Sequence, residues 1–111
     1  MRKSISETLI GKKVYIIIAV PTTFIGNYRM REISRKLVGM PCSFSCNQSN
    51  NTIIITNRTN SKLKIVTMIT YDSLRGYRPD ILLLDNSLMG CEKEEIMMEH
   101  RIFGCEMGIL E

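Results

Sequence analysis

The sequence contains no apolar run approaching the roughly 18 to 20 residues that span a bilayer. No small-residue cleavage site follows the apolar stretch of its opening, MRKSISETLIGKKVYIIIAV. Neither a membrane span nor a secretory leader is therefore expected, and the protein is expected to be intracellular. The three Asn-x-Ser/Thr matches, at Asn47, Asn50 and Asn57, then meet no glycosylation machinery and read as turn chemistry. Histidine is nearly absent: His100 is the single copy. No neighbouring residue makes it half of a catalytic pair, and in the last turn of a predicted helix its cationic form suits the helix dipole. Common zinc spacings are missing as well. Cys42 and Cys46 form a C-x3-C pair, while Cys91 and Cys105 lie fourteen apart. Cys42, Cys46, His100 and Cys105 are the set that would have to assemble for a metal site. Free cysteines in intracellular proteins more often serve as small buried hydrophobes, so no metal is expected. There is no internal repeat and no low-complexity segment.

Acidic residues are scarce in one part of the chain and concentrated in the other. Residues 1–78 hold 13 Lys or Arg against 3 Asp or Glu, a net +10, whereas residues 79–111 hold 2 against 8, a net −6. The overall +4 conceals this split. It suits a basic face for phosphates or for an acidic partner, or simply separate solvated surfaces, since no block of five or six like charges marks a tail. With 111 residues, 44% hydrophobic and 23% charged, the chain suits one small domain with a thin but real core.

What is present is a series of well-punctuated elements. Val14 to Val20 is a continuous, largely β-branched run without alternation, which predicts a central parallel strand covered on both faces. Pro21 stops it, and Thr22 and Thr23 offer an N-cap. The next segment, FIGNYRMREISRKLVGMP, places Met30, Ile33, Leu37 and Met40 at helical spacing, with Arg29, Arg31, Arg35 and Lys36 off that stripe. Gly39 and Pro41 close the helix, giving half of a parallel crossover unit. Thr52 to Thr56, a polar turn at Asn57 to Ser61, and an alternating run through Leu63 and Ile65 predict a hairpin. After the loop SLRGYRP comes DILLLD, a second apolar strand. The last segment, SLMGCEKEEIMMEHRIFG, has early glutamates, late His100 and Arg101, and a closing Gly104, the order of a helix.

In this order, an apolar strand, a helix, a hairpin, an Arg-Gly loop and an apolar strand ending in an acid resemble the ATPase domain of phage large terminase subunits, the motors that package DNA. The resemblance covers about Val14 to Ser87. Its sharpest element is the loop Arg75, Gly76, Tyr77 and Arg78, followed by Ile81 to Leu84 and then Asp85 and Asn86, in the place of a Walker B strand and its Asp-Glu pair. The resemblance implies an α/β fold: a small parallel-type sheet with a β-hairpin insertion and flanking helices, a fragment of a RecA-like P-loop ATPase. The whole chain, residues 1–111, would be one domain matching the middle of that ATPase domain.

Two departures qualify what the resemblance implies about activity. A P-loop would precede the first strand, but GKK at Gly11 to Lys13 lacks the upstream glycine and the hydroxyl residue that binds magnesium, and reads as a helix end. Asn86 stands where a glutamate would polarise the attacking water, and an amide cannot accept the proton. The later strand and coupling motif of the family are also not expected before Glu111. Loss of the P-loop strand would leave two apolar strand edges exposed, to be covered by rearranged N-terminal residues, a second copy or a partner. Flexible apolar contact surface would come from Met68, Met89, Met97 and Met98.

Three functions follow as expectations. The first is a non-catalytic terminase-like protein, of phage or phage-parasite origin, that binds the packaging machinery in an infected bacterial cell and modulates or inhibits it. Its partners would be a large terminase or its regulators, possible homo-oligomers and possible DNA, with no cofactor. The second is a split ATPase whose P-loop lies on another chain, with Mg2+ and ATP at Asp85 and phosphate contacts from Arg75 or Arg78. The third is a nucleic-acid-binding module using Arg29, Arg31, Arg35, Lys36, Arg58, Lys62 and Lys64, with Tyr28 or Tyr77 stacking on bases.

Overall fold

The structure is a computed structural model that describes residues 5–57, 59–68, 74, 76–88 and 106–110. It opens with a short helix, α1 (Ile5–Gly11), so that GKK is indeed a helix end running into the first strand. That strand, β1 (Tyr15–Val20), is buried at every position after Tyr15, as a run apolar on both faces requires. Thr22 caps α2 (Thr23–Val38): its backbone is extended and its hydroxyl accepts the Ile25 amide at 3.2 Å. Gly26 lets this helix lie close on the sheet, because a Cβ there would meet Ile65 Cγ2 and Val20 Cγ2, each at 3.3 Å.

The other strands are β2 (Phe44–Asn47), β3 (Thr52–Ile55), β4 (Lys62–Thr67), β5 (Ile81–Asp85) and β6 (Glu106–Leu110). They form one six-stranded sheet in the order β2-β3-β4-β1-β5-β6. β1 runs parallel to both β4 and β5, β5 runs parallel to β6, and β2 and β3 form an antiparallel flank beside β4. The predicted hairpin is β3–β4, with Ile54 opposite Lys62 and Thr52 opposite Lys64.

Asparagines shape the turns, as the sequence predicts. Asn51 and Asn60 take left-handed backbones at φ 52° and 56°, where asparagine is tolerated better than most residues. Asn47 Oδ1 accepts the amide and hydroxyl of Ser49 within its turn, whereas Asn57 Oδ1 reaches across to accept the Ser43 amide at 2.8 Å, a tie between segments rather than a turn. The β3–β4 turn is also tied to the start of the chain. Thr59 donates to the Leu9 carbonyl at 2.6 Å, while Ser61 donates to the Lys12 carbonyl and accepts the Val14 amide. Carbonyls at the end of α1, which have no helical partner, are thereby satisfied.

A core lies on each face of the sheet. On one face, Ile16, Ile18, Val20, Ile53, Ile55, Leu63 and Ile65 pack under α1 and α2 through Leu9, Met30, Ile33 and Leu37. On the other, Ile17, Ala19, Val66, Leu82 and Leu84 pack with Leu74 and Leu88.

Three expectations need correction. β2 lies in a segment with no strand signal: its side chains are mostly exposed and only Phe44 brings an apolar anchor, so pairing with β3 rather than burial makes it a strand. β6 supplies a later strand that was not expected. It is only partly buried and contains Gly108, so it lacks the continuous apolar run that marks β1 and β5. The expected bare edges of β1 and β5 are absent for the same reason: β1 is paired on both sides, and β6 covers β5, so neither rearranged N-terminal residues, a second copy nor a partner is needed. The predicted final helix, with Met89, Met97, Met98 and His100, lies outside the described residues.

Candidate functional site

In parallel α/β sheets, ligands bind beyond the carboxyl ends of the strands, where the direction of chain progression reverses. Here that point lies between β1 and β5: from β1 the chain moves towards β4 and the hairpin flank, and from β5 it moves towards β6. Asp85 is the last residue of β5. Strand alternation turns its side chain to the α2 face with Ile81 and Leu83, which both pack on that core, and only 1% of the residue is accessible to solvent.

Both oxygens of its carboxylate are engaged. Oδ1 accepts both the amide of Ser87, at 2.9 Å, and the Ser87 hydroxyl. Oδ2 accepts Nε of Arg29 at 2.7 Å. Arg29 projects from the second turn of α2, is 8% exposed, and reaches Glu32 Oε1 with Nη1 at 3.3 Å. The Leu88 amide donates to the Asp85 carbonyl at 3.1 Å, closing a turn that Asp85 caps from within. Burial pushes the Asp85 carboxyl up, but the Ser87 hydroxyl and amide and the Arg29 guanidinium outweigh burial and hold it below its ordinary value. Burial pulls Arg29 down, and the hydrogen bond and charge of Asp85, with Glu32, more than restore it, so that it lies above its ordinary value. The pair is ionised and mutually neutralised.

Asn86 extends the β5–β6 ladder by donating its amide to the Leu110 carbonyl at 2.9 Å, and the residue is exposed. In the preceding loop, Gly76 takes φ 90°, a backbone that L side chains rarely adopt, with open space where a Cβ would be. Tyr77 packs against the second core and Arg78 is exposed. Arg75 lies outside the described residues.

The predicted basic set is not one surface. Arg29 is corrected from a surface cation to the buried partner of Asp85. Arg31, Arg35 and Lys36 are exposed on α2. Lys62 and Lys64 alternate with Leu63 and Ile65 and so point to the opposite face of the sheet, where Lys62 lies 5.3 Å over the Tyr15 ring and Lys64 donates to the Asn50 carbonyl. Arg58 lies outside the described residues. Sequence reasoning missed Ser87 as a site residue and did not pair Arg29 with Asp85. Arg29 lies three residues after Gly26 and four before Ile33, on the margin of the buried stripe, and Ser87 completes an Asp-x-Ser turn; these were the available signals.

Among the described residues, no group of three or more His, Cys, Asp or Glu side chains is placed to hold a metal ion, and no helix is long and apolar enough to cross a membrane. Cys42 directs its thiol to the Leu37 carbonyl and Cys46 approaches the Ser34 hydroxyl, each at 3.8 Å, while His100 and Cys105 lie outside the described residues.

No protein-family profile matches the sequence, and no curated protein does. Solved structures do match in shape. The large terminase ATPase domain of Thermus phage P74-26 matches with a TM-score of 0.69 at 14% identity, over 94% of this chain and 50% of that one. The large terminase of a thermophilic bacteriophage, solved in complex with ADP, matches with a TM-score of 0.68 at 11% identity, over 88% of this chain and 25% of that one. The chain thus has the mixed α/β fold of a terminase ATPase domain, spanning half or less of the length of the proteins it resembles.

Proposed function

We propose that this protein is a non-catalytic terminase-like protein that binds the DNA-packaging machinery and modulates or inhibits it. The observation that carries the reading is the 2.7 Å contact between Arg29 Nε and Asp85 Oδ2. In the resembled family a carboxylate at this place holds magnesium. Here the position is neutralised by a guanidinium from the same chain, and the other oxygen is held by Ser87. A cation at Asp85 would lie against the buried Arg29 guanidinium or have to separate it from its carboxylate, at a cost of several kcal/mol. Asn86 adds that the adjacent side chain is an amide, unable to take a proton from water. The same ion pair argues against the split-ATPase reading, since a P-loop from another chain would meet an occupied carboxylate. A scaffold of terminase shape with its acid tied down suits contact rather than chemistry.

A pull-down from phage-infected bacterial cells with the protein as bait tests the reading. Recovery of a large terminase or portal subunit is expected. Recovery of nucleic acid alone would sink the proposal in favour of a nucleic-acid-binding module.

A further inference from the structure

The outward face of α2 carries a second line of side chains. Phe24, Tyr28, Arg31, Arg35 and Val38 are spaced four, three, four and three residues apart. At 3.6 residues per turn, all five stay within about 40° of one line along the helix. That line lies across the helix from Met30, Ile33 and Leu37, which face the core. A helix normally presents charged and polar side chains there. Instead Phe24 is 76% exposed, Tyr28 53% and Val38 75%. Four large apolar side chains are exposed among the described residues, and three of them fall on this line; isolated exposed hydrophobics are ordinary, but alignment is not. Between them, Arg31 and Arg35 make no ion pair or side-chain hydrogen bond among the described residues. The nearest acid in sequence, Glu32, is engaged by Arg29, and Lys36 adds a further positive charge.

Alternating spacings of three and four are those of a coiled-coil seam, in which each position meets the side chains of a facing helix. We propose that this face docks an α-helix of a partner protein, which sets apolar side chains against Phe24, Tyr28 and Val38 and acidic ones against Arg31 and Arg35. Phe24 to Val38 rises about 21 Å, enough to seat about two heptads of a partner helix. Shallow grooves of about 460 Å³ flank the two arginines on either side, one reaching Ser34 and Cys46 and the other Tyr28 and Lys36. A second copy of this chain fits less well, because parallel pairing sets Arg31 and Arg35 against their own counterparts, antiparallel pairing centred on the seam sets Arg31 against Arg31, and neither brings an acid to the seam. Nucleic acid would use Arg31 and Arg35 on phosphates and Tyr28 for stacking, but it leaves Val38, which has no π-face, without a role. The inference goes beyond the function proposed above: it stands on the α2 face alone and holds whether or not the partner belongs to a packaging motor.

The test uses two synthetic helical peptides of about three heptads, with leucine at the outer seam positions and either glutamate or lysine at the two central ones. Binding is read by fluorescence anisotropy, and its location by backbone amide shifts. The glutamate peptide should bind the full chain with shifts confined to the outer face of α2. Arg31→Glu/Arg35→Glu should bind it at least about tenfold more weakly and accept the lysine peptide instead. Phe24→Ser/Tyr28→Ser should weaken both pairings, and circular dichroism should show every variant folded, since the five side chains are exposed. Failure of the native protein to bind the glutamate peptide overturns the proposal. So does binding that the double charge reversal leaves unchanged, or a protein that ignores both peptides and binds a DNA oligonucleotide through the same two arginines.

Discussion

Arg29 and Arg31 stand two residues apart on α2 and meet opposite environments. Arg29 turns inward, is buried, and is held by Asp85 and Glu32. Arg31 is turned about 200° away on the helix and faces solvent with no ion pair among the described residues. Charge alone does not decide which basic residues form a binding surface; their phase on the helix does. A buried arginine is committed to one carboxylate because an unpaired charge there is costly, while an exposed one keeps its capacity for a partner.

Substitutions on α2 and at the end of β5 test this contrast. The largest effect is expected from Arg29→Ala, which leaves the Asp85 carboxylate buried without its cation and should lower stability by about 3 to 5 kcal/mol in urea denaturation. Removing both charges, as in Arg29→Met/Asp85→Leu, should cost less than the sum of the single changes, because the two sites interact directly.

Acid should act on the same pair. Asp85 titrates below its ordinary value in the folded chain, so its contribution to stability is complete above about pH 4 and is lost as pH falls through the lower folded value. Thermal melting from neutral pH downwards should show this loss in the native protein, and a shallower one in Asp85→Asn. Ser87→Ala removes one of the donors to Oδ1 and should cost about 1.5 to 3 kcal/mol, as expected for a hydrogen bond to a charged group. Arg31→Ala should move the unfolding midpoint least, by no more than about 0.5 kcal/mol.

Much of the fold was legible because its central parts carry strong local signals. The unbroken apolar runs of β1 and β5, the Thr22 cap of α2, and the alternation of Leu63 and Ile65 with lysines each report on burial within a few residues. β2 and β6 were not legible, since strands that lie half-exposed at the edges of a sheet are held by backbone pairing and need no apolar pattern. The position of Asp85 could be read from the strand it ends. Its partner could not, because Arg29 is 56 residues away and charge patterning along a helix does not say what lies opposite. The grouping of Arg29 with the surface cations failed for that reason, and the spread of Lys62 and Lys64 to the other face followed from a strand register known only once β4 was placed between β1 and β3.

On the function proposed above, the Arg29–Asp85 pair leaves the site without hydrolytic activity. ATP turnover in the presence of magnesium, compared between the native protein and Asp85→Ala, tests it most directly. No turnover above background is expected in either protein. Clear turnover by the native chain that Asp85→Ala abolishes would contradict it.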